Sequence, residues 1–154
     1  MIRTFALFAL ALGLAGSTAT ATAPPCRWTI PIDVTQRPVR WLGSCKAGLA
    51  EGTGILRAGV GEPYDFFLGR MSGGRPVDGI IVAHGTEWLA AYGFDARGGI
   101  RPAPSANGQQ FEALFGQAAA AAEATARSMD GAGNRQSARY YRTLAQKVRR
   151  ALPE

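Results

Sequence analysis

Four glycines within the fourteen residues 41-WLGSCKAGLAEGTG-54 constrain the fold of this chain more than any other feature of its sequence. Glycine weakens the interior of a regular strand or helix. A cluster of this kind therefore serves tight turns, or a close approach of one part of the backbone to another. We expect short strands joined by sharp turns in this region.

Apolar and polar residues alternate on both sides of this stretch, as is typical of half-buried strands. Strands are predicted at 27–35, 39–43, 64–71 and 79–84. In the first of them Ile30, Ile32 and Val34 are expected on one face, and Pro31 places the strand at a sheet edge or a bulge because proline cannot donate to a ladder. Turns this short exclude crossovers, so the sequence predicts antiparallel hairpins.

The glycine spacing resembles the MORN repeat, which begins with an aromatic residue. Counted from Trp41, the repeat's glycine positions three, eight, twelve and fourteen hold Gly43, Gly48, Gly52 and Gly54. Cys45 takes the fifth position, where the repeat commonly has a second aromatic. The resemblance implies β-hairpins stacked side by side into an elongated sheet.

A second, incomplete copy of the pattern starts at Phe67. Gly69 and Gly74 occupy its third and eighth positions, and Gly79 then falls one residue out of step. Two copies are fewer than the three or so that a repeat array usually needs to bury its face. Another element of the chain must therefore cover the sheet.

Two predicted helices near the C-terminus are candidates for that cover. Residues 105–130 carry an apolar stripe at helical spacing, formed by Phe111, Leu114, Phe115, Ala118, Ala122, Ala126 and Met129. Asn107 followed by Gln110 resembles an N-terminal capping box. A second helix over 134–152 places Tyr141, Leu144 and Val148 on one side.

These elements predict an α+β fold, a small antiparallel sheet of MORN-like β-hairpins with a C-terminal α-helical hairpin. The hairpin region is assigned to residues 24–103. The helical region is assigned to residues 104–154 and is expected to pack as part of the same domain. The aromatics Trp41, Tyr64, Phe66 and Phe67 are interpreted as core residues, with a binding groove as the alternative.

The amino terminus has the parts of a secretory signal peptide. A positive start is followed by an apolar run at 5–16 and by small residues at 19–23. The run is shorter than the roughly 20 residues that a bilayer-spanning helix needs. We expect a signal peptide over 1–21, with cleavage after Ala23 as the alternative to cleavage after Ala21. The mature chain is then exported, periplasmic or secreted, and has no transmembrane segment.

Cys26 and Cys45 both lie in the part predicted to be exported. An even number of cysteines in an oxidising compartment indicates a structural disulfide. The alternatives lack support, because there is no Cys-x-x-Cys pair and the histidine that a cysteine nucleophile needs, His84, is distant in sequence. One histidine and two oxidised cysteines make no metal site. No metal and no cofactor are expected.

The chain has 17 Lys and Arg against 11 Asp and Glu, a balance that suits nucleic acid, anionic lipid or an acidic partner. Export and the lack of a nucleic-acid-binding motif argue against nucleic acid. Four arginines share the side of the second helix opposite its apolar residues, and we call them the arginine face: Arg135, Arg139, Arg142 and Arg149. This face is interpreted either as a solvated surface or as a binding site for an unknown envelope protein or an anionic surface.

His84 is the only histidine of the chain and the only candidate general base of that type. A lone histidine at a strand end is more often structural, and no serine has the context of a nucleophile elbow. The sequence therefore favours a non-enzymatic exported binding or scaffold module of the cell envelope. The alternatives are a small exported hydrolase that uses His84 and a peripheral anionic-lipid binder that uses the arginine face.

Overall fold

The computed structural model describes residues 25–103, 105 and 107–152, so the predicted signal peptide lies outside the described residues. Five strands come first along the chain, β1 (Val39–Lys46), β2 (Leu49–Ala58), β3 (Asp65–Ser72), β4 (Arg75–Ala83) and β5 (Glu87–Ala91). Two helices follow, α1 (Gly108–Gly131) and α2 (Arg135–Arg150). The strands lie side by side in chain order, and each neighbouring pair is antiparallel. The predicted α+β arrangement of hairpins and two C-terminal helices is confirmed.

Two-residue turns close the β1–β2 and β3–β4 hairpins. Ala47 and Gly48 have φ values of 50° and 73°, and Gly73 and Gly74 have values of 54° and 77°. Two successive residues with positive φ give a turn whose twist matches the flanking strands. Gly48 and Gly74 therefore occupy positions that favour glycine for its backbone freedom.

An aromatic ring lies against a pair of glycines in each of these hairpins. A Cβ atom on Gly54 would lie 2.6 Å from Cη2 of Trp41, and one on Gly43 would lie 2.6 Å from Cε2 of the same ring. In the second hairpin, a Cβ on Gly79 would lie 2.7 Å from Cε2 of Phe67. Any side chain at these glycines would displace the ring, so the glycines make room for it.

The four glycines form a row across four strands, because Gly54 pairs with Gly69 and Gly69 pairs with Gly79. Gly43 extends the row, since its Cα is 3.0 Å from the place of a Cβ on Gly54. The register of the first hairpin shifts between Leu42 and Ser44, where the three residues 52–54 of β2 lie opposite Gly43 alone. In the second hairpin a single residue of β4, at position 77, has no partner on β3. This smaller bulge is why Gly79 is one residue out of step in the sequence.

The prediction of a strand over 27–35 is wrong. Arg27 makes only an isolated bridge to Leu49, and the segment then crosses the turn ends of the sheet. The amides of Arg27, Thr29 and Ile32 donate to carbonyls of three separate turns, Gly48 at 2.9 Å, Gly74 at 2.7 Å and Gly98 at 3.0 Å. We call residues 26–34 the N-terminal strap. Its side chains do not alternate as predicted, since Ile32 is 58% exposed while Val34 is buried.

Both faces of the sheet are covered. On one face Ile55, Phe66, Leu68, Ile80 and Val82 pack with both helices, which bury Leu114, Phe115, Tyr141, Leu144 and Val148 there. On the other face the strap residue Val34 packs with Trp41, Leu56, Phe67, Ile81 and Phe94. Neighbours such as Ile55 and Leu56 point to opposite faces, as the strand period requires.

The start of α1 is fixed by the predicted capping box. Asn107 Oδ1 accepts a hydrogen bond from the Gln110 amide at 3.0 Å, and Gln110 Oε1 accepts one from the Asn107 amide at 2.9 Å. The two side chains satisfy two backbone donors that a helix start leaves without partners.

Candidate functional site

The disulfide between Cys26 and Cys45 fastens the N-terminal strap to the edge strand β1. The two Cα atoms are 5.8 Å apart, and the cysteines are 19 positions apart in the sequence. The predicted pairing is confirmed. Cys45 is thus used for a covalent link at the position where the resemblance to the MORN repeat suggests an aromatic.

His84 lies in the turn between β4 and β5, with a φ of 51°. Its side chain is 67% exposed, and Nδ1 stands 3.9 Å from Oδ1 of Asp65. This separation is longer than a hydrogen bond. The main contact between the two residues runs instead from the His84 backbone amide to Asp65 Oδ1, at 2.9 Å.

Asp65 is fully buried at the start of β3. Its two carboxylate oxygens accept five hydrogen bonds, from the backbone amides of Thr35, Gln36 and His84 and from the side chains of Thr35 and Gln36. Burial alone would raise the pKa of Asp65, but these bonds outweigh it and lower the pKa to about 2. Asp65 therefore stays charged and holds the chain after the strap to the β4–β5 turn.

Sequence reasoning missed Asp65. The one available signal was a charged residue at the start of the apolar run 64-YDFFLGRM-71, since a charge that enters a core needs partners there.

All four residues of the arginine face are exposed along α2. Two of them meet carboxylates of α1, because Arg142 contacts Asp130 and Arg149 Nη2 lies 2.7 Å from Glu123 Oε1. For Arg135 and Arg139, no carboxylate of the described residues lies within 4.0 Å. The face therefore carries less uncompensated positive charge than its four arginines suggest.

A cavity of about 370 Å³ opens between β1 and the C-terminal half of α1, where Trp41, Gly43 and Met129 line it. Beside it, one carbonyl of the edge strand is engaged by a side chain, because Trp41 Nε1 donates to the Ser44 carbonyl at 2.9 Å. Thr125 Oγ1 lies 3.4 Å from the Leu42 carbonyl, but it is closer to the Ala121 carbonyl of its own helix, at 3.0 Å. A sheet edge with an engaged carbonyl is a poorer template for an added strand.

A second cavity, of about 170 Å³, lies between the sheet and α2, and we call it the tyrosine cleft. Its lining is polar and aromatic and consists of Arg57, Glu62, Tyr64, Gln136, Ser137, Tyr140 and Tyr141. A neighbouring cavity of about 120 Å³ shares three of these residues and continues to Trp88 and Lys147.

The tyrosine cleft is built by packing between segments that are distant in sequence. The rings of Tyr64 and Tyr140 meet edge to face, with centroids 6.2 Å apart. Cζ of Arg57 stands 4.9 Å from the centroid of the Tyr64 ring, and Arg57 Nη1 donates to the hydroxyl of the buried Tyr141 at 3.2 Å. Burial and then the nearby charge of Glu62 raise the pKa of Tyr140, so its hydroxyl stays protonated and can donate a hydrogen bond.

Neither a metal cluster nor a membrane-spanning helix is found in residues 25–103, 105 and 107–152. No group of three His, Cys, Asp or Glu there could hold a metal ion, and no helix there is long and apolar enough to cross a bilayer. Comparisons with profiles of known protein families, with curated proteins and with solved structures find no match for this chain.

Proposed function

We propose that this protein is a non-enzymatic binding or scaffold module exported to the cell envelope. The observation that carries the proposal is the tyrosine cleft, where aromatic rings, hydroxyl groups and an arginine converge in one half-buried cavity. Aromatic and polar side chains that converge in a concave site are typical of binding sites. The disulfide supports the export part of the proposal, since such bonds persist in oxidising compartments.

We also propose that the two glycine-rich hairpins are MORN-like repeats. Support comes from the repeated contact of an aromatic ring with two glycines, by Trp41 in the first hairpin and by Phe67 in the second. The shorter bulge of the second hairpin accounts for its imperfect spacing.

Site-specific crosslinking in the cell tests the binding function. A photoreactive amino acid replaces Gln136, which is exposed at the rim of the cleft, and in a control strain it replaces Arg97, which is exposed in a turn beside the strap. We expect a discrete adduct with an envelope component from position 136 and none from position 97. The same adducts at both positions, or none at either, would contradict the proposal. Recovery of the uncleaved chain in the cytoplasm would contradict export.

The hydrolase alternative requires His84 to exchange protons with a substrate. The nearest carboxylate, Asp65, is already committed to five hydrogen bonds, three of them from backbone amides. This favours a structural use of Asp65 over an orienting role for a catalytic imidazole. We expect His84→Ala to complement a deletion strain fully, and loss of complementation with an unchanged melting curve would favour the hydrolase.

A further inference from the structure

We propose that the tyrosine cleft binds a carboxylate group, with Arg57 as its charged partner. This inference rests on the proposed binding function and adds the chemical class of the ligand. Its starting point is that the partners Arg57 has in the fold are neutral.

Arg57 is a half-buried residue of β2. Its side chain donates to the Tyr141 hydroxyl and stands over the Tyr64 ring. No carboxylate of the described residues lies within 4.0 Å of its guanidinium group. The other arginines that meet acids in the fold do so at the surface, as Arg149 does with Glu123. Partial withdrawal of a cation from water without a carboxylate in contact costs free energy, so an anion that contacts Arg57 would lower the free energy of the site.

The remaining wall of the cleft supplies hydrogen-bond donors. Ser137 and Gln136 lie in the first turn of α2, where the helix dipole favours negative charge. The Ser137 backbone amide already donates to Asn134 Oδ1 at 3.0 Å, so the available donors are the Ser137 hydroxyl and the Gln136 side-chain amide. The protonated hydroxyl of Tyr140 lies in the same wall. These donors carry no charge, so they can add hydrogen bonds to an anion that Arg57 attracts.

A carboxylate fits these surroundings better than a phosphate. The planar guanidinium fork can bind the oxygens of a carboxylate or of a phosphate, so the neighbouring charge decides between the two. Glu62 lines the cleft as well. Its negative charge opposes a dianion more strongly than a monoanion.

The test is an NMR titration of the exported, disulfide-bonded protein, following the Arg57 Nε–Hε signal and the Ser137 amide. N-acetylglycine is the carboxylate probe, and N-acetylglycinamide is its neutral counterpart of similar size. The α-amide of N-acetylglutamic acid presents the carboxylate on a side chain instead of a chain terminus. We expect saturable shifts with both acids and none with the neutral amide. The tighter of the two acids then indicates whether a chain terminus or an acidic side chain is the natural source.

Three variants separate the role of Arg57 from a general loss of structure. Arg57→Gln is expected to weaken binding of N-acetylglycine by about tenfold or more, since hydrogen bonds to charged groups are the strong ones. Tyr140→Phe leaves the contact between Arg57 and Tyr141 in place and is expected to weaken binding by about three- to tenfold. Arg150→Gln removes an exposed arginine of α2 that belongs neither to the cleft nor to the arginine face, and it should leave binding unchanged.

Inorganic phosphate is titrated in parallel as a competing anion. Equal shifts with the neutral amide, tighter binding of phosphate than of N-acetylglycine, or unchanged binding by folded Arg57→Gln would each overturn the inference. Its failure is distinguishable from failure of the proposed function. If no carboxylate binds while the crosslinks from position 136 persist, the inference is wrong and the binding function stands. If carboxylates bind and those crosslinks are absent, the inference stands and the proposed binding of an envelope component is wrong.

Discussion

Replacement of the buried Asp65 by Asn should destabilise the protein in a pH-dependent way. The pKa of Asp65 is 3.8 without its surroundings and about 2 in the fold. Each pKa unit corresponds to about 1.4 kcal/mol, so ionisation of Asp65 contributes about 2 kcal/mol to stability at neutral pH. Because the pKa is lowered on folding, this contribution is complete above about pH 5 and is lost as the pH falls towards about 2.

Asn is nearly isosteric with Asp but replaces one acceptor oxygen by an NH₂ group. In either orientation of the amide, the new NH₂ faces groups that now donate hydrogen bonds to the carboxylate. In place of Oδ1 it faces Gln36 and His84, and in place of Oδ2 it faces Thr35 and Gln36. Buried donors without an acceptor cost about 1–3 kcal/mol. We therefore expect Asp65→Asn to lower the free energy of unfolding by about 3 kcal/mol near pH 7 and by about 1 kcal/mol near pH 2.

Urea unfolding followed by tryptophan fluorescence, at pH values between about 7 and 2, measures both numbers. Glu87→Gln is the matched control, because it removes an exposed carboxylate from the β4–β5 hairpin, whose turn Asp65 holds through the His84 amide. The control should follow the parent at every pH. A difference between parent and Asp65→Asn that does not change with pH would refute the reasoning, since the hydrogen bonds would then not depend on ionisation.

Gly69→Ala should destabilise the protein by about 1–3 kcal/mol, because the new Cβ would lie 2.6 Å from the Cα of Gly79. Gly61→Ala is the control, since a Cβ there meets nothing within 4 Å. Equal urea midpoints for the two variants would contradict the close packing at Gly69. Reduction of the disulfide should lower stability by about 3 kcal/mol in the chain-entropy model, and thiols that label fully in freshly prepared, unreduced protein would contradict the bond. If the arginine face binds anionic lipid, the double variant Arg135→Glu, Arg139→Glu should lose co-sedimentation with anionic vesicles at low salt. Equal sedimentation of both proteins, or none by the parent, would return the face to a solvated surface.

The hairpins and helices could be predicted because their signals are local. A two-residue turn with glycine in its second position, as at Gly48 and Gly74, is readable from a few neighbouring residues. The same holds for the capping box at Asn107. The strands β2 and β5 were not among the predicted strands. Gly52 and Gly54 interrupt 49-LAEGTGILRA-58, and 87-EWLAA-91 is short, so neither run shows a clear alternation.

The strap was mistaken for a strand because local alternation does not reveal what the backbone donors meet. Ile30, Ile32 and Val34 alternate as strand residues do, whereas the donors of this segment meet carbonyls as far away as Gly98. The tyrosine cleft escaped prediction for a related reason. Arg57 and Tyr140 are far apart in sequence, and no spacing rule joins them.

The strap also sets the order in which the molecule can be completed. The segment is made early in synthesis, yet its last acceptor, Gly98, is made about seventy residues later. Until then, the apolar face that holds Trp41 and Phe67 has no cover and is open to chaperones or to other chains. Cys26 and Cys45 are close in sequence, so their bond can form before the rest of the sheet is present. A bond made early keeps the unfinished strap beside the first hairpin and shortens the search for its remaining partners.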